Sequence, residues 1–156
     1  MDFETTREVL AAFEREGVVY AIVGAVALNL HGLVRATQDL DIFVAPSADN
    51  IEKLRNALRR VFDDPHIDEI TAEDLLGDYP AIQYVPPDGT FFVDILTRLG
   101  EAFTFDDLET ERVDFDGVEV TVVTPRMLHR MKRSTVRPQD RADAARLRDR
   151  FGFEEE

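Results

Sequence analysis

The chain has 156 residues, no cysteine, and a formal charge of −14 from 18 basic and 32 acidic side chains. That length is enough to bury a substantial core, and the missing thiols exclude disulfides and thiolate metal sites. The acidic balance argues against a generic nucleic-acid coat, because its summed field repels phosphate backbones.

The charge is unevenly spread. Residues 125–150 carry nine Arg or Lys against three Asp, a net +6, whereas residues 1–124 carry −17. A local basic surface facing an acidic remainder points to a phosphate-bearing small ligand. No run of 18 apolar residues is present, and Met1–Glu4 lack the basic-then-apolar layout of a secretory leader. The expectation is a cytoplasmic protein with no membrane association.

In chain order, "TTREVLAAFEREG" predicts a helix with Val9, Leu10 and Phe13 on one face and Gly17 as its stop. Val18–Val23 reads as a strand, broken by Gly24, and "AVALNLHG" as a short helix ending at Gly32. Gln38–Val44 is the second predicted strand. The next helix has Asp49 and Glu52 in capping-box spacing and Ile51, Leu54, Leu58 and Val61 on one face. "TAEDLLGD" predicts a short helix, and "AIQYV" and "TFFVDIL" a hairpin across Pro86-Pro87-Asp88-Gly89. Asp116-Gly117 joins "ERVDF" to "VEVTVV" as a second hairpin. Thr124-Pro125 opens a helix, and a last helix follows Pro138, with Ala142, Ala145 and Leu147 expected inward. The class is α/β or α+β, a small mixed sheet flanked by helices. It is expected to form one domain over residues 1–156, with a core of 1–124 and a C-terminal helical element of 125–151.

The chemistry concentrates in two strands. Asp39 and Asp41 alternate with Leu40 and Ile42, so both carboxylates leave one face, roughly 6–7 Å apart at Cα. Burying an unpaired carboxylate is costly, so such a pair needs partners or a cation. Asp94 is likewise a lone acid in an apolar strand. An isolated strand-end Asp is ordinarily a turn former or an ion-pair partner. Three of them converging would offer the hard oxygen ligands that Mg2+ or Mn2+ prefers, the arrangement used in phosphoryl transfer. Gly24 adds a strand–glycine–helix junction, where backbone N–H groups can approach an anion.

The stretch "VGAVALNLHGLVRATQDLDIFV" resembles the first motif of the minimal nucleotidyltransferases of the DNA polymerase β-like superfamily. The likeness is strongest to uncharacterised bacterial and archaeal members and to AbiEii-type toxins, with "HG…R.T.DLD" in the loop. It continues in "KRSTVRPQDRAD", where Lys132, Arg137, Asp140 and Asp143 match a C-terminal "K….R..D..D" element. The resemblance spans Val18 to about Leu147.

It implies that Asp39, Asp41 and Asp94 hold the metal and are catalytic, with Asp94 positioned to take the acceptor's proton. It implies that Gly24 and Ala25 offer backbone donors to a nucleoside triphosphate, and that Lys132 and Arg137 neutralise its phosphates. Arg35 and Thr37 line the same loop as nucleotide-binding candidates; capping or ion pairing explains them equally well. For Lys132 and Arg137 the alternative is a solvated helix face, on which Lys132→Ala would hardly affect folding. His31 reads as a helix C-terminal cap rather than a base. Where the family usually has Gly or Ser after the first glycine, this chain has Ala25, so a hydroxyl able to bind phosphate is absent.

The leading reading is thus a Mg-dependent nucleotidyltransferase, passing a nucleoside monophosphate to an unidentified hydroxyl of a small molecule, protein or tRNA. Ala25 favours a second reading, a non-catalytic binding module or toxin–antitoxin component acting through an antitoxin-type partner. A metal-dependent phosphohydrolase using the same acids is a third.

Overall fold

The computed structural model describes residues 3–37, 39–87, 89, 91–99, 103–133 and 137–153. Helix α1 (Phe3–Glu16) leads through Gly17 into strand β1 (Tyr20–Val23), which runs directly into helix α2 (Gly24–Leu30). Strand β2 (Asp39–Val44) and helix α3 (Ala48–Val61) follow, then the single-turn helix α4 (Ala72–Leu75). Strands β3 (Ala81–Tyr84) and β4 (Phe92–Leu96) precede a small ribbon of β5 (Arg98–Leu99) and β6 (Phe103–Thr104). Strands β7 (Thr110–Phe115) and β8 (Val118–Val123) lead to helices α5 (Pro125–Arg133) and α6 (Pro138–Phe151).

Six strands form one mixed sheet in the order β3-β4-β2-β1-β8-β7. β1 pairs antiparallel to β2 and parallel to β8, and β2 pairs parallel to β4. The two expected hairpins close the edges, β3 on β4 and β7 on β8. The second turns through Asp116 and Gly117, both at positive φ (47° and 89°), the geometry that suits the right-handed twist of its strands.

The apolar stripe of α1 (Val9, Leu10, Phe13) and that of α3 (Ile51, Leu54, Leu58) are fully buried, and the two helices pack on each other. α2 packs on β1, β2 and α5, and α5 packs along α6. Buried Asn50 clamps the start of β1 to the end of β2: it accepts from the Val19 N–H at 2.8 Å and donates to the Val19 and Ala45 carbonyls at 2.9 and 3.0 Å. Among the described residues, no helix is long and apolar enough to cross a membrane.

Two local expectations need correction. The cap of α3 is Ser47, whose hydroxyl accepts from the Asn50 N–H at 3.1 Å; the Asp49–Glu52 spacing lies inside the helix. The inward face of α6 is Asp143, Ala144 and Leu147, with Ala142 exposed. That rotation is chosen by a buried ion-pair cluster at Asp143 rather than by the alanines. The β5–β6 ribbon, two residues per strand, is too short to give a period-2 signal. Gln38 and Asp88, assigned in sequence to a strand and a turn, lie outside the described residues.

Candidate active site

β2 is the pivot of the site. Asp41 lies opposite Val23 on one side and opposite Asp94 on the other, because β2 and β4 run parallel in that register. Leu40 and Ile42 point the other way and are fully buried, leaving Asp39 and Asp41 on the opposite face with Asp94. The three half-buried carboxylates each offer an oxygen, and those oxygens all lie within 4.8 Å of one another, close enough to hold one metal ion.

The electrostatics show the strain of this arrangement. Burial, a hydrogen bond shared with Asp94, and the charges of Asp94 and Asp39 push the Asp41 carboxyl from 3.8 up to about 8, with Lys132 opposing. Burial and the Asp94 charge also raise Asp39. Three carboxylates without a cation cannot all ionise comfortably at such separations, so a proton is retained. A cation would replace that proton. The donor set, three hard carboxylate oxygens, fits Mg2+ or Mn2+.

Gly24 closes the site from β1. Its φ is +70°, and a Cβ there would lie 2.0 Å from Oδ2 of Asp41, so the backbone passes directly against the carboxylate. Ala25 follows, nearly buried, in the first turn of α2. From β3, the Gln83 amide donates to Asp94 at 3.0 Å. Sequence reading assigned Gln83 no role. Counting along the hairpin pairs it with Asp94, but only once the register across the long turn is known.

The loop from α2 to β2 is tied at both ends. Asn29 brackets Arg35 through its backbone, accepting from its N–H at 2.8 Å and donating to its carbonyl at 3.0 Å. The Thr37 hydroxyl exchanges 3.1 Å hydrogen bonds with the backbone N–H and carbonyl of Asp39, fixing the start of β2. Thr37 therefore acts through Asp39's backbone. The Arg35 guanidinium pairs with Asp143 of α6.

Asp143 is fully buried and gathers three donors: Arg35, Lys132 at 3.2 Å and Gln139 at 3.2 Å. Burial works against its charge, but the guanidinium and ammonium outweigh it and hold its carboxyl below the usual range. Lys132 also pairs with Asp140 at 3.4 Å. This corrects the expectation of a solvated Lys132: only 9% of the residue is exposed, and its charge reaches Asp41. Arg137 is different, with a largely exposed side chain 3.8 Å from Asp140. His31 sits at the C-cap of α2 as expected, and its ring bonds the Val123 carbonyl at 2.7 Å, stitching α2 to β8.

A mixed sheet that brings three carboxylates of neighbouring strands against a glycine at a strand–helix junction is the nucleotidyltransferase-like architecture. Solved structures of that class align over nearly the whole chain. The lincosamide antibiotic adenylyltransferase LnuA, lincomycin-bound, aligns with TM-score 0.62 at 12% identity, over 93% of this chain and 95% of its own. ANT(2")-Ia in complex with adenylyl-2"-tobramycin aligns with TM-score 0.57 at 13% identity, over 97% and 89%. An antigenic nucleotidyltransferase-like protein from Paracoccidioides brasiliensis aligns with TM-score 0.57 at 19% identity, over 93% and 74%. No curated protein sequence matches the chain significantly. The chain belongs to the AbiEii family, nucleotidyl transferase toxins of type IV toxin–antitoxin systems, whose pattern matches residues 9–151.

Proposed function

We propose that the protein transfers a nucleoside monophosphate from a nucleoside triphosphate to a hydroxyl acceptor and releases pyrophosphate. The observation that carries this reading is the convergence of Asp39, Asp41 and Asp94 within 4.8 Å beside Gly24; family membership supports it. Asp39, Asp41 and Asp94 hold Mg2+ or Mn2+, which would neutralise the triad and the negative charge of the triphosphate.

The chain's own groups do the rest. Backbone N–H groups of Gly24 and Ala25 receive phosphate oxygens at the start of α2. Lys132 supplies positive charge from α5 and opposes the rise of the Asp41 carboxyl, with Arg35 held beside it through Asp143. Arg137, exposed at the start of α6, reaches outward to the triphosphate. Asp94, steadied by Gln83, accepts the proton of the attacking hydroxyl. The hydroxyl oxygen bonds the α-phosphorus as the bond to the bridging oxygen breaks, and pyrophosphate leaves. The acceptor is a small molecule, a protein or a tRNA; of the aligned structures, one is a lincosamide antibiotic adenylyltransferase with lincomycin bound and another is in complex with adenylyl-2"-tobramycin.

Ala25 supports a second reading, a nucleotide-binding component of a toxin–antitoxin pair that acts through an antitoxin-type partner without catalysis. One experiment separates the two. The protein is incubated with α-labelled triphosphates, magnesium and a cell extract. Label on an acceptor is the expected result, free labelled monophosphate or diphosphate would indicate a hydrolase, and intact triphosphate favours the binding component.

A further inference from the structure

α5 carries a second face, turned away from buried Met127, Leu128 and Met131 but including buried His129. Arg126, Arg130 and Arg133 recur there at helical spacing, so three guanidinium groups share one side of the helix. They line a cleft of about 440 Å3 together with His129 and the turn Phe151-Gly152-Phe153, and no member of the aspartate triad lines it. The turn is set by Gly152, which ends α6 in the left-handed region (φ +72°) and donates its N–H to the Arg148 carbonyl at 2.7 Å. That reversal brings Phe153 back over Phe151, rings stacked at 5.9 Å and 14°, with His129 5.6 Å from Phe153.

Like charges one turn apart on a helix oppose folding by a few tenths of a kcal/mol per pair. The charge of Asp107 interacts with Arg130 on this side. Elsewhere the chain is strongly acidic and repels anions, which focuses an approaching anion onto this +6 segment. Guanidinium forks match phosphate oxygens, and stacked phenyl rings give a base a flat apolar surface. The cleft's volume lies in the range of small-ligand sites.

We propose that this cleft binds a nucleotide unit, with its phosphate on Arg126, Arg130 and Arg133 and its base against Phe153. The site is separate from the aspartate triad and stands whether or not the triad is catalytic. It is tested with the full chain in EDTA at low salt, titrating tagged AMP, a five-residue oligoadenylate, inorganic phosphate and polyglutamate of matched charge. AMP is expected to bind more tightly than inorganic phosphate or polyglutamate. The Arg126→Ala/Arg130→Ala double variant should weaken it about tenfold or more and Phe153→Leu about fivefold. Equal affinity for AMP and the oligomer assigns a free nucleotide, and a tighter oligomer assigns a nucleotide unit of a strand. Polyglutamate or phosphate matching AMP, or a double variant that binds as the wild type does, overturns the proposal. So does a wild-type Phe153 ring whose NMR signals do not move on AMP titration, a readout independent of how the variants fold.

Discussion

Gly24 and Asp41 are fitted against each other so closely that a Cβ on the glycine would lie 2.0 Å from the Oδ2 of the aspartate. Gly24→Ala therefore meets two penalties, a left-handed backbone (φ +70°) that costs an L-residue about 1–2 kcal/mol, and a collision that displaces Asp41. Loss of transfer activity is expected, together with loss of any rise in melting temperature on adding magnesium. A Gly24→Ala protein that keeps both would show that the close approach is incidental.

Asp41 makes the metal-free protein sensitive to pH in a direction opposite to most carboxylates. Its carboxyl titrates near 8 in the folded chain against an ordinary value of 3.8. The folded state thus holds the proton more tightly than the unfolded one. Its contribution to stability is fully present below about pH 4 and is lost as pH rises through 8. Denaturation in EDTA across that range should show the wild type weakening relative to Asp41→Asn, which melts at or above it at pH 8. Parallel curves for the two proteins would sink the strained-triad account.

Divalent cations should reverse that weakening. Binding to the folded state alone raises stability by about 2.7 kcal/mol at a hundredfold excess over Kd. Because a proton must leave before a cation binds, the rise in melting temperature should be larger at pH 8 than at pH 5. Calorimetry with Mg2+ or Mn2+ at the two pH values tests this, and an equal response at both would separate the cation from the triad.

Lys132→Ala should destabilise the fold by about 2 kcal/mol, since it strips one cation from buried Asp143 while Arg35 remains. Asp143→Ala should cost more, about 3–5 kcal/mol, because it leaves two cations without their shared carboxylate. Urea denaturation of both variants gives the comparison. A Lys132→Ala protein as stable as the wild type would restore the alternative of a solvated lysine.

Transfer chemistry should separate Arg137 from Lys132. Arg137 is largely exposed, so Arg137→Ala is expected to leave the urea midpoint unchanged while raising KM for the triphosphate severalfold. Steady-state kinetics on a stable variant decides it; an unaltered KM removes Arg137 from the nucleotide site.

Sequence alone determined what depends on short-range periodicity. The two-residue period of a strand put Asp39 and Asp41 on one face, Asp-Gly set the β7–β8 hairpin, and the apolar stripes marked α1 and α3. Tertiary structure decided what depends on the pairing of distant segments. Only the parallel register of β2 on β4 places Asp94 opposite Asp41, and only the β3–β4 register brings Gln83 to Asp94. A long turn leaves such registers open to a shift that would reverse every side chain. Asp143 read in sequence only as part of a C-terminal motif, and Lys132 as a nucleotide-binding candidate with a solvated helix face as its alternative, because a helix in isolation offers each of them water. Burial became tolerable for Asp143 once Arg35, 108 residues away in sequence, and Lys132 arrived to share its carboxylate. That meeting of separate segments is a property of the folded chain, which no local pattern encodes.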